Sequence, residues 1–325
     1  MYGFNTFHED LMKTLINSVR TGSASHAYIF EGDGGLNLLE NARLFAMALT
    51  CKNPSIAPCT DCNCCREAKA MTNPDIIFFE KPKDKKTIGV DAIRELTDDT
   101  AIKPFASQRK VYIIPDGDLL TEAAQNALLK TLEEPNGYVV FIIITTNENL
   151  LLQTVLSRST HIHFPPVGEE ITRKYLLEKY PEAENKEFII KYCEGIPGRI
   201  DEIMEDESFY ALRNDAFSNL PYLLTKNKLF AFTIRKYLDS EKDNAQKILD
   251  FWISYLRDIL IINLGQKNRI INSDKQEDLI NLSKKIDTKL ITQAMEEIFK
   301  AKKMLQRNVS LKSVAISLPL KINNC

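Results

Sequence analysis

Five short apolar runs rich in β-branched and aromatic residues punctuate the first half of the chain: Ala27 to Phe30, Asp75 to Phe79, Lys110 to Ile114, Tyr138 to Thr145 and Thr160 to Phe164. Between them the apolar positions recur at helical spacing, over Leu36 to Thr50, Val90 to Ala101, Thr121 to Glu134 and, briefly, near Leu150 to Leu156. Strands alternating with helices in this way predict an α/β domain with a parallel sheet covered on both faces. The run Val139 to Ile144 has no polar member, as a central strand buried on both sides requires. One helix has legible ends. Thr121 is placed as N-cap with Glu122 in the first turn, Ala124, Leu128, Leu129 and Leu132 form the stripe, and Pro135-Asn136-Gly137 closes it.

Pro165-Pro166 ends the last strand, and from there the pattern is helical. The expected division is a sheet domain over 1–165, a small helical unit over 166–207 carrying Gly195-Ile196-Pro197-Gly198-Arg199, and an all-α domain over 208–325. The apolar run Phe251 to Leu264 contains Arg257 and Asp258 and is too short to cross a bilayer, so it predicts a buried helix.

Composition narrows the class. Charged residues make up 26% of the 325 and Gly plus Pro only 25 positions, which excludes disordered and fibrous chains, and 42 Lys+Arg against 44 Asp+Glu, a net charge of -2, argues against autonomous tight binding to nucleic acid. Seven cysteines, an odd total, with no apolar signal segment at the start, point to a reducing cytoplasm. Cys51, Cys59, Cys62 and Cys65 have the spacing of four thiolates converging on one tetrahedral zinc ion in a closed, structural site. Cys64 is left out because a ligand pair needs a turn between its members, and Cys193 and Cys325 have no assigned role.

The turn after the first strand, Glu31 to Leu39 with Gly32, Gly34 and Gly35, stands where a nucleotide-binding fold places its phosphate loop. The positions that need a Lys and a Ser or Thr read Leu38 and Leu39, and Pro115 stands where a magnesium-binding Asp belongs at a strand end, with Asp116 following. The expectation is a turn with no catalytic nucleotide chemistry. Lys81 to Lys86 reads as a solvated loop, His161 and His163 as structural residues on one strand face, and Lys130 with Glu134 as an exposed ion pair. On chemistry alone Arg158 is equally a helix-end arginine or a functional one.

Several segments together resemble a known family. They are His26 to Phe30, the four-cysteine module, Val90 to Leu96, Ala124 to Pro135, Thr146-Asn147, Thr154 to Ser159 and Gly195 to Arg199. The chain is similar through them to the clamp-loader subunits of bacterial DNA polymerase III, in the AAA+ ATPase superfamily. The likeness is dense from about residue 26 to 200 and general beyond, through Phe251 to Gly265 and Asn308-Val309-Ser310. Loss of the phosphate-loop lysine aligns it with the delta-prime branch and against the gamma/tau motor subunits.

That resemblance implies an AAA+ domain, a lid and a helical collar that oligomerises. It implies partnership with gamma/tau and delta subunits, and through the complex with a sliding clamp and primed DNA. Arg158, in a Ser157-Arg158-Ser159 sequence where the family has Ser-Arg-Cys, is implied to enter a neighbour's ATP site as an arginine finger. Asn147 and Arg199 fall at the superfamily's two sensor positions. The alternatives are a motor subunit with an unusual loop, or a zinc-stabilised interaction scaffold without a role at an ATPase.

Overall fold

In the computed structural model, which describes residues 1–82, 84–225, 228–307 and 309–323, the five apolar runs form one sheet. Its strands are β1 (Ala27–Glu31), β2 (Ile76–Phe78), β3 (Lys110–Ile114), β4 (Val139–Thr145) and β5 (Thr160–His163). The order is β2-β3-β4-β1-β5 and every neighbouring pair is parallel. All seven residues of β4 are buried, Val139 to Ile144 as their unbroken apolar sequence predicts and Thr145 with them. Lys83, Asn308 and Cys325 lie outside the described residues.

Alternation along each strand divides the apolar side chains between two cores. Phe30, Ile113 and Ile142 face α1 (Glu9–Arg20), α2 (Leu38–Leu49) and α3 (Asn63–Lys69), packing with Met12, Phe45 and Cys65. Ile29, Tyr112 and Phe141 face α4 (Val90–Asp99), α5 (Glu122–Glu133) and α6 (Gln153–Leu156), packing with Leu96, Leu128 and Val155. The Thr121 hydroxyl accepts the Ala124 N–H at 3.2 Å, so α5 begins where its cap predicts. Two elements depart from the pattern reading. Helix α1 has no assignment there, because its N-cap position is His8 with no side-chain cap bond. Helix α3 arises inside what reads as a loop, because the Cys62 sulfur takes the capping role and accepts the Cys65 N–H.

Asp75 ties the segment before β3 to the sheet. Its buried carboxylate accepts the N–H groups of Phe105, Ala106 and Ser107, at 2.5, 2.8 and 2.7 Å, and the Ser107 hydroxyl at 2.9 Å. Burial pushes this carboxyl up, but the four donors outweigh it and hold it below the ordinary value of 3.8. A depressed carboxyl stabilises the fold fully above its unfolded value, and the contribution is lost as pH falls through the folded one. Asp75→Ala should therefore cost about 3 kcal/mol near neutral pH, by orphaning buried donors to a charged acceptor. In urea melts the difference from wild type should shrink as pH drops below about 4.

The chain packs as two compact units, Met1–Tyr175 with Gly195–Arg199, and Leu176–Glu194 with the residues from Ile200 onward. Residues 166–207 are thus shared between them, with α7 (Glu169–Lys179) and α9 (Gly198–Glu205) each running from one into the other and α8 (Lys186–Tyr192) between. The second unit continues with α10 (Phe209–Leu223), α11 (Lys228–Ser240), α12 (Ala245–Asn263), α13 (Gln276–Ser283), α14 (Thr288–Gln306) and α15 (Leu311–Asn323). The apolar run from Phe251 supplies the buried face of α12: Trp252 donates to the Ala216 carbonyl at 2.8 Å and Tyr255 to that of Arg213 at 3.0 Å. Buried Arg213 lies 3.6 Å from the Phe188 ring centroid and pairs with Asp274 at 2.7 Å, so its charge is compensated. Among the described residues no helix is long and apolar enough to cross a membrane.

Candidate functional site

Three features of the first unit carry chemistry, and the cysteine module is the most compact. The sulfurs of Cys51, Cys59, Cys62 and Cys65 all lie within 4.8 Å of one another, with Cys51 and Cys65 buried. A tetrahedral ion with bonds of about 2.3 Å places its sulfurs about 3.8 Å apart, so small rotations suffice to close the site. Backbone N–H groups already point at the sulfurs. Asn53 and Cys59 donate to Cys51, Cys62 to Cys59 and Cys65 to Cys62, at 3.4–3.5 Å. Burial pushes the Cys59 thiol up, but the N–H groups of Cys62 and Asp61 and the neighbouring thiols outweigh it and bring it to about 6. Burial raises the Cys51 and Cys65 thiols, so this pair favours the thiolate form only when a cation supplies the compensating charge. Cys64 is buried separately with its sulfur 3.5 Å from the Ala106 carbonyl. The four converging thiols can hold a metal ion.

At the glycine turn, a short 3-10 segment (Gly34–Leu36) and a left-handed Asn37 (φ 56°) lead into α2. Leu38 is 3 % exposed within the core, and Leu39 offers no polar atom. One Asp33 oxygen accepts the Gly35 N–H at 3.1 Å, and the carboxylate pairs with Arg199 at 3.2 Å. A Cβ on Gly198 would lie 2.5 Å from the Gly35 Cα, so the two glycine backbones are in direct contact. An internal carboxylate therefore engages a loop N–H and the arginine, both groups that an anion would seek. Sequence reading misses this partner because Asp33 and Arg199 are 166 residues apart.

The neighbouring strand ends are occupied by capping bonds. Asp118 accepts the Thr146 N–H at 3.0 Å, and Asn147 accepts the Asn149 N–H at 3.0 Å, capping its own turn.

Arg158 follows the C-terminus of α6. Its Nη2 meets Glu133 at 2.7 Å, and Nη1 donates to the Thr154 carbonyl at 3.0 Å and to the Ser157 hydroxyl at 3.3 Å. The side chain keeps 35 % exposure, and a guanidinium has five donors, so the group is oriented with capacity left for another acceptor. Glu133 is the last residue of α5, while Glu134 has left the helix (φ -124°, ψ 66°). The expected pair of Lys130 with Glu134 is accordingly absent among the described residues, because the helical i, i+4 geometry ends one residue too early.

Residues 7–168 match the sequence family described as DNA polymerase III, delta subunit, and residues 207–313 match DNA polymerase III, delta subunit, C terminal. The DNA polymerase III subunit delta' of Bacillus subtilis is 26 % identical over 319 residues, covering 97 % of this chain and 96 % of that one. The DNA polymerase III subunit tau of the same organism is 36 % identical over 163 residues, 50 % of this chain and 28 % of the relative. The DNA polymerase III subunit gamma of Buchnera aphidicola is 30 % identical over 243 residues, 71 % of this chain and 66 % of the relative.

Proposed function

The chain belongs to the delta-prime family of DNA polymerase III clamp-loader subunits, and from that premise we infer that it is a non-hydrolysing member that acts on a neighbour's nucleotide. The single observation that carries this reading is the contrast between its two phosphate-facing features. The glycine turn is closed on itself through Asp33, Gly35, Gly198 and Arg199, with no Lys to reach a phosphate. Arg158, in contrast, is partly exposed and preoriented.

Supplied in trans, the Arg158 guanidinium neutralises the charge that develops on a transferred phosphoryl group. Residues 1–165 serve as the AAA+ domain, 166–207 as a lid and 208–325 as the collar that meets gamma/tau and delta subunits. In that cytoplasmic assembly the chain helps place a sliding clamp on primed DNA. Cys51, Cys59, Cys62 and Cys65 hold a structural zinc ion, whose four-thiolate site leaves no open position for water and whose role is to clamp the segment between α2 and β2.

Affinity purification of the tagged full-length chain from its own cells, with mass spectrometry of the stable companions, tests the assembly. Recovery of motor and delta subunits in fixed ratio is the expected result. Recovery of the chain alone, under conditions that keep the other subunits together, contradicts it.

A further inference from the structure

At the C-terminal ends of β1 and β5, four side chains unused by the proposed function converge. Glu31 pairs in register with His163, and Ile29 with His161, so Glu31 and both imidazoles share one face of the sheet. Glu148 joins them from the short turn after β4. His161 Nε2 lies 3.0 Å from Glu31 Oε2, and its Nδ1 lies 3.2 Å from Glu148 Oε2. His163 Nδ1 lies 3.0 Å from the same Glu31 oxygen. The remaining Glu31 oxygen accepts the Glu148 N–H at 3.3 Å, which fixes the carboxylate's orientation.

This arrangement has a chemical requirement. A neutral imidazole carries one N–H, so with both His161 nitrogens against carboxylate oxygens, one contact sets lone pair against lone pair. That opposition is relieved by a proton held on the ring or on a carboxyl group, or by a metal ion. One ligand atom each from Glu31, Glu148 and His161 lies within 4.8 Å of the others. Bonds of about 2.0–2.2 Å to a tetrahedral ion place ligand atoms about 3.3–3.6 Å apart, so the carboxylates, which now meet opposite nitrogens of the His161 ring, need only rotate to bring one oxygen each to a single nitrogen. Mixed imidazole and carboxylate donors select borderline divalent ions over magnesium or calcium, which favour all-oxygen shells.

We propose that Glu31, Glu148 and His161, supported by His163, form a second divalent-metal site, of the zinc, cobalt or nickel class, separate from the cysteine cluster. The site uses no residue of the cysteine module and does not depend on the assembly role.

Cobalt(II) titration of the full chain, purified with its cysteine-bound metal retained, tests it. The expected result is one further equivalent with weak visible bands, no added thiolate charge-transfer absorption, and paramagnetic broadening of the His161 and His163 imidazole signals. His161→Ala and, independently, Glu31→Gln should each weaken that equivalent at least about tenfold while leaving the thiolate absorption unchanged. Absence of the extra equivalent in the wild-type chain overturns the proposal, as does equal cobalt uptake by folded His161→Ala. Nitrogen-15 spectra showing both His161 ring nitrogens protonated, with no change on adding cobalt, would identify the imidazolium as the cation and overturn it too.

Discussion

Replacing Arg158 with Ala should leave the chain folded and able to assemble, yet, on the proposed finger role, silence a neighbouring motor subunit's ATP site. Arginine fingers in comparable phosphoryl-transfer systems contribute about three to five decades of rate. Turnover at the affected site should therefore fall by about three decades, with the residual DNA-stimulated ATPase being what the loader's other sites supply. Folding should be little affected, because Arg158 is partly exposed and its ion pair with Glu133 joins two side chains that are 35 % and 49 % exposed. Such pairs contribute about 0–1 kcal/mol. Arg158→Lys should be nearly as damaging, because an ammonium cannot hold Glu133 and a phosphoryl oxygen with one rigid planar fork. The check is steady-state ATPase of the reconstituted loader alongside size-exclusion evidence that the variant is incorporated.

The second large effect concerns the metal. Cys59→Ser with Cys62→Ser should abolish zinc retention, since two ligands are lost at once. The remaining buried thiols, Cys51 and Cys65, are already pushed toward the neutral form by burial. Structural zinc sites contribute folding free energy outright, and the four cysteines that can hold an ion run from just after α2 into α3. A loss of about 3–5 kcal/mol is expected, corresponding to a fall in Tm of about 6–20 °C for a domain of this size. Chelation of the wild-type protein should reproduce the change. Lowering the pH should as well, because protons compete for the thiolates and metal affinity falls as acidity rises. Metal analysis and calorimetry of wild type and variant check both the ion and its energetic role.

Much of the sheet domain is legible from local pattern because its central strands, β1, β3 and β4, are buried on both faces and carry almost no polar residue. Lys110 to Ile114 forms β3 with the expected bounds, and Tyr138 to Thr145 loses one residue to the preceding turn. The start of α5 is equally legible, since Thr121 supplies a side-chain cap. Elements whose ends are set by something other than a standard cap are not. Helix α1 starts without a capping side chain, and α3 starts on a cysteine sulfur.

The same distinction holds at the candidate site. The cysteine spacing and the missing phosphate-loop lysine are local and readable. The partners that give the other residues their setting are distant in sequence: Glu133 for Arg158, Asp33 for Arg199 and Glu31 for both histidines. Only the parallel β1–β5 pairing and the return of Gly195 to Arg199 to the first unit bring the latter two together.

Isothermal titration of the isolated chain with ATP–Mg asks whether the closed glycine turn binds a nucleotide without help from a neighbour. No binding tighter than about 1 mM and no turnover are expected, since Asp33 engages a loop N–H and Leu38 stands in place of the lysine. Micromolar affinity accompanied by hydrolysis would contradict it and make the chain a motor subunit.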